Sequence, residues 1–372
     1  MAPFQLERMG VIMEPEKGEP NEVEGVLNPA IVRGKDGQLY MFPRLVGAGN
    51  YSRIGMARVL FDTSGDPCGV ERMGVALAPE ADYELREGGG GCEDPRVTYL
   101  EPLGHYVMTY TALSSRGPRI AIAISDDLFE WRRVGVARFH AYKGLSFEGI
   151  DNKDASIFPM LIASHMGRPA VAMLHRPLFP RTRPEEKADP DVPAPHAEYM
   201  ENIWISYHHI DEHADGRRSH QFIGHHELAA PAADWEQLKI GGGAPPMMCR
   251  HGWLMIYHGV HETAKAPGGR RKLCYSAGAM VLSPEHPTKI LYRSAEPVMA
   301  PQTEAELHGT VDAVVFPTGL DRRDDLNDPD RFDVYYGMAD DRIGVARLRV
   351  PAELPMMGRR LAQAAAAMPP PD

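Results

Sequence analysis

Short apolar runs separated by glycine and polar turns recur along this chain, and they predict strands rather than helices. Five runs have the same character and begin 66, 65, 83 and 79 residues apart. They are Leu39–Arg44, His105–Tyr110, Ala170–Arg176, Trp253–His258 and Phe332–Gly337. Further apolar runs follow three of them, at Ser52–Val59, Pro118–Ala123 and Asp341–Ala346. Repetition of one supersecondary unit predicts stacked sheets, so we expect an all-β fold, a five-bladed β-propeller with short terminal extensions.

The repeat also sets the expected domain boundaries. Residues 1–25 carry little periodicity and should form an extended N-terminal lead-in, followed by a propeller over residues 26–350. Residues 351–372 favour a C-terminal helix and tail, because an alanine-rich run there ends in prolines. Two segments break the rhythm. Residues 181–196 are rich in proline and charge and predict an excursion loop, and the acidic residues 320–330 predict an exposed turn.

Composition narrows the classes of protein. The 372 residues include 36 glycines and 33 prolines, as expected of many short strands. A net charge of −11 argues against nucleic-acid or anionic-membrane partners. No apolar run is long enough to span a membrane, and the N-terminus lacks the apolar core of a signal peptide. The four cysteines have no paired metal spacing. We expect a cytoplasmic protein without a metal; its oligomeric state stays open, with a homo-oligomer as one option.

The segment Gly88–Arg96 is the sharpest candidate for chemistry. Four glycines, which allow positive φ and close approach of the backbone to a ligand, precede Glu93, Asp94 and a proline. Asp94 is therefore a candidate general acid near Arg96. Taken alone, the segment fits equally well a tight hairpin turn with a solvated aspartate.

Positively charged side chains stand at the strand boundaries of consecutive repeats. They are Lys153, Arg176 and Lys239, joined by His258. Each could form an ordinary surface salt bridge, the usual fate of a single lysine or arginine. In a propeller, however, these boundaries converge on the axis. Cations gathered there in an acidic protein predict an anion-binding site, for instance for phosphate.

The first and last repeats add residues suited to a sugar. Asn28 and Arg44 lie in the first, and Asp340 ends the last. Amide, carboxylate and guanidinium groups bind paired hydroxyls, and nearby aromatic rings stack on sugar faces. Tyr335 and Tyr336 are aromatic candidates, although Tyr335 is better explained as a strand former.

Several motifs in this order resemble glycoside hydrolase family 130, the β-mannoside phosphorylases and related mannosidases. The resemblance runs from Asn28 to Asp340. It rests on Glu93-Asp94-Pro95-Arg96, Asn152-Lys153-Asp154, His175-Arg176-Pro177, Lys239-Ile240-Gly241, Tyr257-His258-Gly259, Phe316-Pro317 and Tyr336-Gly337-Met338-Ala339-Asp340. The family fold is a five-bladed β-propeller, in agreement with the repeat count.

The resemblance also implies roles for individual residues. Asp94 corresponds to the proton donor, which acts through the mannose 3-hydroxyl. The residues implied to bind phosphate are Lys153, Arg176, Lys239, His258 and Tyr275. The residues expected to bind the sugar are Asn28, Arg44, Glu93, Arg96, Asp154 and Asp340. The only partners expected are a small carbohydrate and inorganic phosphate, a co-substrate rather than a cofactor.

These features predict an inverting phosphorolysis of a β-mannoside, giving α-mannose 1-phosphate and a shortened acceptor. The retained cations favour phosphate over water as the nucleophile. The alternatives are an inverting β-mannosidase, which would need a second carboxylate to activate water, and a non-catalytic sugar-binding propeller. The sequence does not distinguish a β-1,2 from a β-1,4 linkage, and it leaves the acceptor sugar open.

Overall fold

The computed structural model describes residues 4–180, 199–210, 221–265 and 271–366, and the fold is mostly β. The predicted excursion loop at 181–196 lies outside the described residues. An N-terminal strand, β1 (Gln5–Met13), precedes five successive antiparallel units. Unit one comprises β2 (Gly25–Arg33), β3 (Leu39–Gly47), β4 (Tyr51–Phe61) and β5 (Pro67–Leu77). Unit two comprises β6 (Gly90–Leu100), β7 (His105–Ser114), β8 (Gly117–Ser125) and β9 (Arg132–Val136).

The next two units contain short extra strands beside their main ones. Unit three comprises β10 (Arg138–Phe139), β11 (Asn152–Ile157), β12 (Ile162–Ala163), β13 (Pro169–Pro180), β14 (Tyr199–Glu201), β15 (Ile203–His209) and β16 (Gln221–Ala229). Unit four comprises β17 (Lys239–Gly242), β18 (Met247–Cys249), β19 (Gly252–Lys265), β20 (Arg271–Leu282) and β21 (Ile290–Arg293). Unit five comprises β22 (Val315–Arg322), β23 (Arg331–Met338) and β24 (Arg342–Arg349). The helices are α1 (Glu304–Leu307) and α2 (Arg359–Ala366).

The predicted apolar runs occupy equivalent places in these units. They lie in β3, β7, β13, β19 and β23, each of which pairs antiparallel with the strands on both of its sides. The three following runs lie in β4, β8 and β24. The strand predictions are therefore confirmed. These central strands are largely buried on both faces, which explains their nearly continuous apolar character.

The N-terminal segment does more than lead into the fold. Strand β1 pairs with β24, with Gln5 opposite Arg349 and Met13 opposite Ile343. Unit five thus takes its fourth strand from the start of the chain. The sequence analysis expected an extended segment here but no strand, because a partner more than 300 residues away leaves no local signal.

Five apolar clusters fill the spaces between successive units. Each lies between two neighbours in cyclic order, the last between units five and one. Each cluster contains residues from the central strands of the two units it joins: Phe42 and Met108, Val107 and Met173, Leu174 and Met255, Ile256 and Val334, and Tyr335 and Met41. Every unit therefore packs on two others. The burial of Tyr335 in the last of these clusters agrees with its interpretation as a strand former.

The acidic segment 320–330 agrees with its prediction as an exposed turn only in its second half. Residues 324–327 form a short exposed turn. Strand β22, however, continues through Leu320 and Asp321, both of which are buried. Arg323 is also fully buried, because its Nη1 donates to Asp333 at 2.5 Å and a paired charge can be removed from solvent.

At the C-terminus, helix α2 packs against units three and four. Met357 and Ala365 contact the cluster between units three and four, and Leu361 is buried. Among the described residues, none of the helices has the length and apolar character needed to cross a membrane.

Candidate active site

Strands β2, β6 and β11, one each from units one, two and three, share a local distortion that builds the site. Asn28, Asp94 and Asp154 have φ values of 45°, 48° and 55°. Each stands where the pairing with the next strand shifts register. Asparagine and aspartate tolerate this left-handed conformation better than other residues with side chains. A bulge re-aims the side chain it carries, so these polar groups leave the alternation of their strands.

Asp94 lies at the centre of the first group of polar side chains. Its Oδ1 accepts a hydrogen bond from Asn28 Nδ2 at 2.8 Å and one from Arg44 Nη1 at 3.3 Å. The same guanidinium donates through Nη2 to Glu93 Oε1 at 2.7 Å and through Nε to Ser52 Oγ at 2.9 Å. Both bonds to Asp94 thus end on one oxygen, Oδ1. Strands β2, β3, β4 and β6 supply this group.

Two further carboxylates raise the negative charge beside Asp94. Asp340 has φ 51° in the turn after β23 and interacts electrostatically with Arg44, Asp94 and Glu93. Burial raises the pKa of Asp340 to about 6, against the opposing effect of Arg44. Burial likewise raises the pKa of Glu93. Glu93 and Asp340 therefore retain a proton to a higher pH than ordinary carboxyl groups.

Asp154 organises a second group, which is rich in cations. Its Oδ2 accepts from Arg176 Nε at 2.6 Å and lies 3.6 Å from His258 Nε2. Only 3% of Asp154 is exposed. Burial alone would raise the pKa of this carboxyl, but Arg176, His258 and Lys153 together lower it below its usual value. The carboxylate is therefore ionised and holds the cations in place.

The two lysines join this group from different units. Burial and the nearby Arg176 lower the pKa of Lys153, and the same two causes lower the pKa of Lys239 to about 8. Lys239 Nζ lies 5.5 Å from the ring centre of Tyr275. The ring of Tyr275 in turn stacks 6.3 Å from that of His258. Partly desolvated ammonium groups beside an arginine are suited to an oxyanion.

Arg96 connects the two groups. Its Nε donates to the Gly243 carbonyl at 2.6 Å and its Nη1 to the Asp94 carbonyl at 2.9 Å. Its guanidinium also lies 5.9 Å from the ring of Phe316. It feels the charges of both Asp94 and Asp154, and it is almost fully buried. Most of the N–H groups of Arg96 thus donate to backbone carbonyls, so this side chain holds the bulge at Asp94 in place.

The glycines of this region serve packing within the protein. A Cβ at Gly90 would stand 2.5 Å from the Leu113 carbonyl oxygen, and one at Gly91 would stand 2.3 Å from that of Ser52. Both glycines have positive φ and pair in parallel with β4, which joins units one and two. Close approach of the backbone was predicted here, but at these two glycines the approaching group is another strand rather than a ligand.

A chain of hydrogen bonds runs behind the cations through unit three. Asn152 Nδ2 lies 3.0 Å from His175 Nδ1, and His175 Nε2 lies 2.7 Å from Ser206 Oγ. Ser206 Oγ lies 2.7 Å from His225 Nδ1, and His225 Nε2 lies 2.9 Å from the His140 carbonyl. Burial lowers the pKa of His175 and lowers that of His225 to about 4, so both rings are neutral.

The His140 carbonyl, which ends this series of hydrogen bonds, determines the direction of every bond in it. A carbonyl can only accept, so His225 Nε2 donates and its Nδ1 accepts from the Ser206 hydroxyl. That hydroxyl oxygen then accepts from His175 Nε2, whose Nδ1 accepts from Asn152 Nδ2. This series of hydrogen bonds thus fixes the orientation of Asn152, the residue that precedes Lys153.

The twelve predicted site residues all fall in these two linked groups. The structure adds Ser52, which holds Arg44, and Glu201, whose carboxylate contacts Arg176. Neither stood in a motif. Ser52 opens one of the predicted strands, but a serine at a strand end carries no specific signal. Glu201 follows the proline-rich segment 181–196 and lies outside the five repeated runs.

Comparison with known proteins identifies the family. The family model described as beta-1,4-mannooligosaccharide phosphorylase matches residues 6–357. A 1,2-beta-oligomannan phosphorylase of Thermoanaerobacter sp. (strain X514) is 28% identical over 346 residues, 91% of this chain and 95% of its own. A beta-1,4-mannooligosaccharide phosphorylase of Ruminococcus albus is 36% identical over 124 residues, 33% of this chain and 34% of its own.

A solved structure agrees with these sequence matches. The beta-1,2-mannobiose phosphorylase of Listeria innocua, in complex with beta-1,2-mannobiose, superposes with a TM-score of 0.66 at 20% identity. The match covers 93% of this chain and 97% of the other. The fold and the site thus define an enzyme of carbohydrate metabolism. The chain belongs to glycoside hydrolase family 130, the β-mannoside phosphorylase family, as its motifs predicted.

The hydrogen-bonded chain of unit three can be tested by replacing Ser206 with alanine. The change leaves His175 Nε2 without an acceptor and His225 Nδ1 without a donor in a buried place. An unsatisfied buried polar group costs about 1–3 kcal/mol, so we expect a loss of that size in the free energy of unfolding. Denaturant titration measures it, with the exposed Ser115→Ala as control. Equal stability of the two variants would contradict the chain of bonds.

Proposed function

We propose that this protein catalyses the inverting phosphorolysis of a β-mannoside, with inorganic phosphate as its second substrate. An oxygen of phosphate attacks C1 of the mannosyl residue from the face opposite the leaving sugar. The bond from C1 to the glycosidic oxygen breaks, and that oxygen takes a proton that originates on Asp94 and is relayed by the mannose 3-hydroxyl. The products are α-mannose 1-phosphate and a shortened acceptor.

The observation that carries this proposal is the cation group around Asp154. Lys153, Arg176 and Lys239 converge there, and the carboxylates of Asp154 and Glu201 balance only part of their charge. Phosphate supplies negative charge and a nucleophilic oxygen, so the reaction requires no second carboxylate as a base. A water nucleophile would require one, about 6.5–9.5 Å from the acid, and would gain little from a cluster of cations.

The environment of Asp94 supports its role as the acid. Asn28 and Arg44 fix its orientation by hydrogen bonds to Oδ1, and Arg44 also holds the neighbouring Glu93. Arg44 and the carboxyl of Asp340 are also suited to bind sugar hydroxyls. The proposed sugar site is therefore built by units one, two and five, and the phosphate site by units three and four.

We further infer that the five units are the blades of a β-propeller with the site on its axis. The support is the cyclic packing of each unit on two neighbours and the closure of the last sheet by β1. Strands β2, β6 and β11, which carry the distorted residues, also contact one another, β2 with β6 and β6 with β11. Ends of inner strands meet at the centre of a propeller.

Product analysis tests the reaction directly. The protein is incubated with β-1,2-mannobiose or β-1,4-mannobiose, with and without phosphate. Formation of mannose 1-phosphate only when phosphate is present supports the proposal, and the better disaccharide identifies the linkage. Release of free mannose at the same rate without phosphate would show a hydrolase instead.

Replacement of Asp94 by asparagine should nearly abolish turnover. An amide cannot supply the proton that the leaving oxygen needs, and general acid catalysis contributes about 100- to 10,000-fold. Steady-state kcat on an unactivated mannobiose measures the loss, and the exposed Asp82→Asn serves as control. Near-native kcat in the folded Asp94 variant would show that another group is the acid.

Replacement of Lys239 by alanine should weaken phosphate binding far more than mannoside binding. A charge-assisted hydrogen bond in a desolvated place contributes about 1.5–3 kcal/mol, at least about tenfold in affinity. The two KM values are compared, with the exposed Lys289→Ala as control. Equal increases in both would indicate a structural lysine and weaken the phosphorylase assignment.

The lowered pKa of Lys239 also predicts a dependence on pH. As the pH rises through about 8, this ammonium loses its proton and with it the attraction for phosphate. The KM for phosphate should therefore rise between about pH 7 and 9, whereas Lys239→Arg, whose guanidinium stays charged, should show a flatter profile. Parallel profiles for both proteins would assign the effect to another group.

A further inference from the structure

Glu201 is a carboxylate in the middle of the proposed phosphate site. It ends β14, which pairs with β13 so that Glu201 lies opposite Leu178, two residues beyond Arg176. Its carboxylate contacts Arg176 Nη1, and its Oε2 lies 3.9 Å from Lys239 Nζ. The side chain of Glu201 is 17% exposed, so most of it is shielded from solvent.

This position creates an electrostatic conflict for an anion site. Arg176 already donates through Nε to the buried Asp154. A second carboxylate against its Nη1 repels any dianion that approaches Arg176 and Lys239. Asp154 already supplies a counter-charge for these cations and is the more buried of the two carboxylates. Glu201 therefore requires an explanation other than holding the cations together.

Phosphate differs from sulfate, another tetrahedral anion, in a way that removes this repulsion. Near neutral pH it still carries a proton on one oxygen, and a carboxylate oxygen can accept that proton as a short, charge-assisted hydrogen bond. Sulfate carries no proton under the same conditions, so its oxygens and those of a carboxylate face each other as acceptors only. The same carboxylate thus favours one anion and repels the other.

We propose that Glu201 makes this site selective for a protonated oxyanion, so that phosphate binds and sulfate is rejected. The inference rests on the proposed function, since it assigns the cation group to phosphate. A specificity-determining carboxylate works through the unpaired acceptors that it imposes on the wrong ligand. Glu201 differs in this from Asp154, whose Oδ2 is occupied by Arg176 and approached by His258.

Replacement of Glu201 by glutamine tests the proposal, because the amide keeps the shape and can donate to sulfate. Calorimetry on the full chain gives the Kd for inorganic phosphate and for sulfate. We expect the wild type and the exposed control Glu148→Gln to prefer phosphate. The Kd for sulfate divided by the Kd for phosphate should fall at least about tenfold in the Glu201→Gln variant. Glu201→Asp, which keeps a carboxylate, should retain part of the preference.

An unchanged ratio in Glu201→Gln would overturn the proposal. In particular, equal tightening of both anions would show that Glu201 is only a counter-ion displaced on binding. A second measurement needs no variant: the wild type should bind arsenate, which keeps a proton, and reject selenate, which has none. Equal binding of these two would also overturn it. Mannose release independent of phosphate would instead refute the proposed function, whatever the ratio of affinities.

Discussion

A single buried carboxylate, that of Asp154, makes the site of this protein electrostatically feasible. Arginine and lysine side chains cannot be brought together away from water unless an opposite charge offsets their repulsion. Asp154 provides it for Arg176 and Lys153 while remaining 3% exposed. The requirement extends to its neighbours in unit four. A Cβ at Gly241 would stand 2.3 Å from Asp154 Oδ2, so the residue two positions after Lys239 is restricted to glycine.

The second requirement is backbone irregularity at the right places. In a regular strand successive side chains point to opposite faces, so Glu93 and Asp94 could not both reach Arg44. The left-handed conformation at Asp94 breaks the alternation and lets both acids contact the same guanidinium. The equivalent distortion at Asn28 brings an amide from unit one to a carboxylate from unit two. The local strain of these residues is held by the pairing on both sides and, at Asp94, by Arg96.

Sequence analysis predicted the features that repeat or stand in motifs. Buried central strands have a strong apolar signal, so all five units were located from it. Strand β1 was not predicted, because its pairing with β24 depends on contacts across the whole chain. The pairs of Arg323 with Asp333 and of Glu201 with Arg176 were missed for the same reason. A lone charged residue predicts solvent exposure, and only the fold reveals the partner that allows burial.

The division of the site between units suits the proposed reaction, in which inversion at C1 and proton transfer to the leaving oxygen proceed together. The proposed acid and sugar ligands come from units one, two and five, whereas the proposed phosphate ligands come from units three and four. An inverting displacement needs the nucleophile and the leaving group on opposite faces of the sugar ring, and two separate walls provide this arrangement. Arg96 connects the two groups of residues. Its Nη1 donates to the carbonyl of Asp94, and its Nε donates to the carbonyl of Gly243 in unit four. This connection holds Asp94 and the proposed phosphate ligands at a fixed separation, which a concerted displacement requires.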